Sequence, residues 1–142
     1  MKNIHASCVC WRKKGILVLG DSGLGKSDLC LRMIINKQAR LVSDDRVDLD
    51  VINNKLQASP PKTLEGLLEV RGLGILSFPY QKKCDINLVV SLVSNREDID
   101  RYPEGDYFEF QGLKIPQIKL YSFDASSPDK AILGLSINKH RS

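Results

Sequence analysis

Aromatic residues are scarce in this chain, at 6% of 142 positions, and few of them lie among the basic residues. That scarcity argues against a nucleic-acid surface, which interleaves cations with stacking rings. Charge of one sign is also missing. The net charge of +4 comes from 21 Lys and Arg against 17 Asp and Glu, spread along the chain. No apolar run approaches the roughly 20 residues needed to span a membrane. The start, Met1-Lys2-Asn3-Ile4-His5, has no apolar signal region, which predicts a cytoplasmic protein. Cys8, Cys10, Cys30 and Cys84 contain no C-x-x-C pair. Cys8-x-Cys10 is at best half a metal site with no second pair to complete it, and buried free thiols are the expectation. Repeats, low-complexity segments and domain linkers are absent as well. The length and the hydrophobic fraction of 42% fit one domain with a sizeable core.

What is present is concentrated in eight residues, Gly20-Asp21-Ser22-Gly23-Leu24-Gly25-Lys26-Ser27. They match G-x-x-x-x-G-K-[ST], the phosphate-binding P-loop. Gly15 to Leu19 before them reads as a buried strand, and Ser27 to Lys37 after them as a helix. Glycines let the backbone curl so that successive N–H groups point at phosphate oxygens, and the helix N-terminus adds partial positive charge. Lys26 has the reach for β/γ-phosphates, and the Ser27 hydroxyl suits Mg²⁺.

Around the loop, Ala6 to Trp11 predicts a first strand that turns through Arg12-Lys13-Lys14-Gly15. In the helix, Cys30, Leu31, Ile34 and Ile35 form an apolar stripe, and Gln38-Ala39 ends it. Arg40 to Asp44 reads as a short strand, and Asp48 to Asn53 as another before an Asn53-Asn54-Lys55 turn. Ser59-Pro60-Pro61 is a loop. Leu64 to Arg71 fits no single element and is broken by Gly72-Leu73-Gly74. Asp85 to Val93 is apolar enough for a central strand. Arg96 to Gly105 is a charged connection. Tyr107 to Gln111 and Lys114 to Tyr121 read as two strands. Ser127 to Leu135 reads as a helix with Ser127 as N-cap and Pro128 at its first position.

A P-loop needs a further carboxylate for Mg²⁺ or for the nucleophile. Ser43-Asp44-Asp45-Arg46 offers two at a strand end. Strand alternation predicts that one faces the phosphates while the other turns away or pairs with Arg46. Glu69 and Arg71 sit beside a glycine-rich bend. The Glu suits a Mg²⁺ shell and the Arg suits charge on a transferred phosphoryl group.

Three segments together resemble the bacterial HPr kinase/phosphorylase family: Gly20 to Ser27, Leu41-Val-Ser-Asp-Asp-Arg-Val47, and Leu68-Glu-Val-Arg-Gly-Leu-Gly-Ile75. His5-Ala6-Ser7 resembles the family's His at the start of its catalytic domain. The resemblance implies an α/β fold, a P-loop-containing mixed β-sheet with flanking helices of the HPr kinase/PEP carboxykinase-like kind. It implies one kinase catalytic domain over 1–142, without the additional N-terminal domain of longer members, as in the short α-proteobacterial form. It implies an ATP- and Mg²⁺-dependent serine kinase whose partner is an HPr-like phosphocarrier protein, with phosphorolysis as a possible reverse activity. By the same resemblance Asp44 is the acid/base, His5, Lys26, Arg71 and Arg101 are active-site residues, and Ser27, Glu69 and Asp45 serve the metal. Family members assemble as hexamers. Longer members carry an Arg-containing segment tied to phosphorolysis where this chain reads Lys119 to Asp129 without arginine. Two other readings compete: a P-loop small-molecule kinase, and a nucleotide-gated module that binds its partner without phosphorylating it.

Overall fold

Short alternating strands and tight turns build most of the molecule. The structure, a computed structural model, describes residues 1–141. The strands are β1 (Lys2–His5), β2 (Ser7–Trp11), β3 (Lys14–Leu19), β4 (Arg40–Ser43), β5 (Arg46–Ile52), β6 (Lys55–Ser59), β7 (Leu67–Val70), β8 (Gly74–Ser77), β9 (Cys84–Leu92), β10 (Asp106–Phe110) and β11 (Leu113–Leu120). The helices are α1 (Lys26–Lys37), α2 (Ser127–Gly134) and α3 (Ile137–His140). Nine strands form one mixed sheet, with the path β1-β5-β6-β9-β3-β2-β4 and β10-β11 added at β9. The fold is therefore mixed α/β with a curled sheet. Among the described residues no helix is long and apolar enough to cross a membrane.

Strand β9 is the branch point. Its first residues pair antiparallel with β6, and the rest pairs parallel with β3 and β11. Both faces of the sheet are covered there, so β3 and β9 read as near-continuous apolar runs. Pleating sends Ile16 and Val18 to one cluster and Leu17 to the other. The first cluster packs under α1, whose Leu29, Cys30 and Met33 are buried. The apolar stripe is thus set one step differently from the predicted one, and Ile35 is exposed.

Several local expectations change. Residues 64–71 are not one element. Leu67–Val70 and Gly74–Ser77 form a separate antiparallel hairpin, turned at Gly72 with φ 93°. Residues 55–59 form a strand, because Asn53 and Asn54 both adopt left-handed φ and make a two-residue hairpin turn. Helix α2 begins at Ser127, so the N-cap position falls on Ser126, and the Ser127 hydroxyl bonds the Tyr121 carbonyl instead. Residues 2–5 form a strand antiparallel to β5, with His5 opposite Arg46.

Candidate active site

The glycine-rich loop joins the C-terminal end of β3 to the start of α1. Gly23 and Gly25 hold left-handed φ of 87° and 91°. A side chain strains this region, which explains glycine at both positions. At Gly25 there is a second reason, since an added Cβ would lie 2.6 Å from Ser122 Oγ. Ser122 is fully buried. Its hydroxyl donates to the Gly25 carbonyl at 2.9 Å and accepts from Arg32 Nη2 at 3.0 Å. The end of the loop is thereby tied to the segment after β11.

Lys26 is only 8% exposed. Its ammonium donates to the Gly20 carbonyl at 2.6 Å and the Asp21 carbonyl at 3.3 Å. Ser27 Oγ lies 2.7 Å from Asp44 Oδ1 and 2.9 Å from Oδ2. Asp44 is buried, and Oδ1 also accepts from Ser7 Oγ at 2.7 Å. The Glu69 backbone N–H approaches Oδ2 at 3.4 Å. One carboxylate therefore gathers the loop-to-helix junction, β2 and β7.

The two acids diverge for a reason other than strand pleat. β4 ends at Ser43, and Asp45 adopts φ 70°. The backbone reverses there, burying Asp44 and leaving Asp45 exposed. Asp45 does not pair with Arg46. Its Oδ1 lies 3.1 Å from His5 Nε2, while Arg46 Nη1 lies 3.5 Å from Asn3 Oδ1. Strand β1 delivers His5 to this position through its register with β5.

A cavity of about 460 Å³ opens over these groups, lined in part by His5, Lys26, Ser27, Asp45, Glu69 and Arg71. Ser22, Gly23 and Gly25 of the loop also reach it, and Phe123 closes one side. Gly20, Asp21, Leu24 and Asp44 are not among its lining residues, Asp44 being buried against Ser27. Gly20 and Asp21 contribute through their carbonyls to Lys26, and Leu24 packs against the core. Arg101 is exposed on the connection between β9 and β10 and is not among the lining residues. Among the described residues no three His, Cys, Asp or Glu side chains converge to hold a metal unaided.

Sequence reasoning gave no role to Ser7, Arg32 or Ser122. Ser7 and Ser122 are buried hydroxyls bonded across long sequence separations, and nothing local in the chain marks them. Cys30 lies near Asp44. Burial, and then the Asp44 charge, push its thiol well above the ordinary range, so it is an inert packing group.

A family model described as HPr Serine kinase C-terminal domain matches residues 1–126. The HPr kinase/phosphorylase of Thermoanaerobacter sp. is 36% identical over 128 residues, covering 82% of this chain and 42% of that protein. The HPr kinase/phosphorylase of Ralstonia pickettii is 37% identical over 116 residues, covering 75% of this chain and 36% of that protein. The chain spans less than half the length of these curated relatives. A solved structure of the Hpr(Ser) kinase/phosphatase from Coxiella burnetii superposes with a TM-score of 0.81 at 26% identity, over 99% of this chain and 97% of that one.

Proposed function

Because the chain belongs to the HPr serine kinase C-terminal domain family, we propose that it is an ATP- and Mg²⁺-dependent protein serine kinase acting on an HPr-like phosphocarrier protein. In this reading the chain is one P-loop catalytic domain of the HPr kinase/PEP carboxykinase-like kind. The observation that carries the proposal is the join of Ser27 to Asp44 beneath a cavity presenting Lys26, Glu69 and Arg71.

The donor set fits a nucleotide and a hard cation. Lys26 is a buried ammonium whose hydrogen bonds, among the described residues, are to neutral carbonyls alone, so it favours an anion such as the β/γ-phosphates. Ser27, Glu69 and Asp45 supply the hydroxyl and carboxylate oxygens that a hard cation prefers, with water and phosphate completing its shell. Mg²⁺, when bound, neutralises charge on the phosphate oxygens.

Asp44 is the acid/base. It takes the proton of the acceptor serine in the forward direction and returns one in reverse, and Ser7 fixes its orientation. Arg71 neutralises charge on the transferred phosphoryl group. His5 sets the electrostatics of the acid pair through Asp45. Arg101 takes no role in this reading.

The test is incubation with radiolabelled ATP, Mg²⁺ and an HPr-like protein. Label on a serine of that protein, lost when the metal is chelated, is the expected outcome. Label on a metabolite points to a small-molecule kinase. Partner capture that depends on nucleotide, without label, points to a regulatory binding module.

A further inference from the structure

The unused chemistry lies at the far end of β3 from the glycine-rich loop. Cys10 on β2 and Cys84 on β9 belong to strands that do not pair, because β3 runs between them. In register, Cys10 stands opposite Gly15, and Gly15 opposite Ile86. Residues directly opposite across an antiparallel pair share a face. At Gly15 that face carries no side chain, and the backbone of β9 comes so close that an added Cβ would lie 2.5 Å from the Asp85 carbonyl oxygen. The gap lets two sulfurs meet over the glycine. Cys84 Sγ donates to Cys10 Sγ at 2.8 Å.

Both thiols are free, at 3% and 6% exposure. A disulfide requires a sulfur separation of about 2.05 Å, so a shift of under about an ångström joins them. The two sulfurs are also unlike each other. The Cys84 hydrogen bond, opposed by burial and helped by the Lys13 N–H and the Arg40 charge, lowers Cys10 below the ordinary thiol range. The same hydrogen bond and burial push Cys84 up. Lys13 and Asp85, adjacent to these contacts, line a recess of about 450 Å³, and neither cysteine is among its lining residues. Cys8 is two residues along β2, fully buried, with its thiol pushed up by burial.

We propose that Cys10 and Cys84 form a peroxide-oxidisable dithiol, a site of reversible disulfide modification that clamps β2 to β9 across the strand leading into the active site. The Cys10 thiolate attacks a peroxide oxygen. The O–O bond breaks, one water leaves once the departing oxygen is protonated, and Cys10 becomes a sulfenic acid. The Cys84 sulfur then attacks Cys10 sulfur, and its proton leaves with the displaced hydroxide as a second water. Two thiols are oxidised to one disulfide while hydrogen peroxide is reduced to two waters. A dithiol reductant reverses the reaction.

The experiment treats the folded full chain with hydrogen peroxide, alkylates it under denaturing conditions and digests it with trypsin without reduction. The expected product is the Asn3–Arg12 peptide joined to the Cys84–Arg96 peptide, lost on treatment with dithiothreitol. The protein stays monomeric on a non-reducing gel. Because the first peptide also holds Cys8, fragment ions assign the bonded sulfur to Cys10. The bond persists in Cys8→Ala and disappears in Cys10→Ala. The proposal is overturned by alkylation of all four cysteines at peroxide levels that oxidise glutathione, by a bond through Cys8, or by linkage between chains. The fragment assignment on the unaltered protein stands even if Cys10→Ala fails to fold.

Discussion

Lys26 is held by two carbonyl oxygens and, among the described residues, no carboxylate lies within ion-pair distance of it. A buried ammonium with neutral partners keeps much of its desolvation penalty. Its removal therefore does not weaken the fold, although it removes the cation proposed to meet phosphate. Lys26→Ala is expected to abolish ATP-dependent activity while circular dichroism is unchanged. Near-normal kinase activity in that variant would refute the phosphate-loop assignment. Asp44 is the opposite case, since its oxygens accept from Ser7, Ser27 and the Glu69 N–H. Asp44→Asn replaces one accepting oxygen by a donor and ends proton acceptance. Loss of a general base costs about 10²–10⁴-fold in rate. A broken buried hydrogen bond adds about 1–3 kcal/mol of destabilisation. Rates per folded molecule and a urea titration separate the two effects, and nucleotide binding is expected to persist because the proposal assigns it to the loop and Lys26. If Asp45→Asn proves the more damaging change, the exposed carboxylate beside His5 is the base.

The loop-to-helix junction shows how much an element's own sequence discloses. The strand, the glycine spacing and helix α1 were all legible, because period 2 and period 3.6 patterns are local. The reason for each glycine was not. Gly23 and Gly25 share a left-handed backbone, but nothing stands within 4 Å of a Cβ added at Gly23, whereas Ser122 blocks one at Gly25. Gly23→Ala should therefore cost only the left-handed penalty, about 1–2 kcal/mol. Gly25→Ala should cost more, and should also displace the Ser122 hydroxyl that bonds the loop. Urea midpoints rank the pair, and equal midpoints would show that Ser122 yields freely. The β7–β8 hairpin was illegible for a related reason. Its exposed Leu73 and Ile75 break the expected alternation of buried and solvated residues. His5 was read from resemblance alone, because only pairing with β5 turns a polar terminus into an ordered strand.

At the scale of the whole molecule, the direction of the proposed reaction depends on which charges the fold brings to one cavity. Phosphorolysis places inorganic phosphate against a phosphoserine, which crowds anions and calls for surplus cations. The segment from Lys119 to Asp129 has no arginine of its own. The fold brings two to it, and both are already occupied. Arg32 bonds Ser122, the Asp124 carbonyl at 3.2 Å and Asp28 at 2.9 Å. Arg96 pairs with the Asp124 carboxylate and lies over the Tyr121 ring. The charged cavity lining is then Lys26 and Arg71 against Asp28, Asp45 and Glu69, with His5 beside Asp45. A bound divalent cation offsets the carboxylates for one nucleotide but leaves no surplus for a free phosphate nucleophile. One missing charge contact in a partly solvated site is worth about 1–4 kcal/mol, so pyrophosphate release should run at least about fivefold slower than serine phosphorylation. The measurement is pyrophosphate formed from the phosphoserine form of the partner at millimolar phosphate, compared with the forward rate in the same buffer. Comparable turnover in the two directions would show that Arg71 and Lys26 suffice, or that another cation enters when the partner docks. A phosphorolysis rate that rises in Asp124→Asn, where Arg96 is released, would identify that cation.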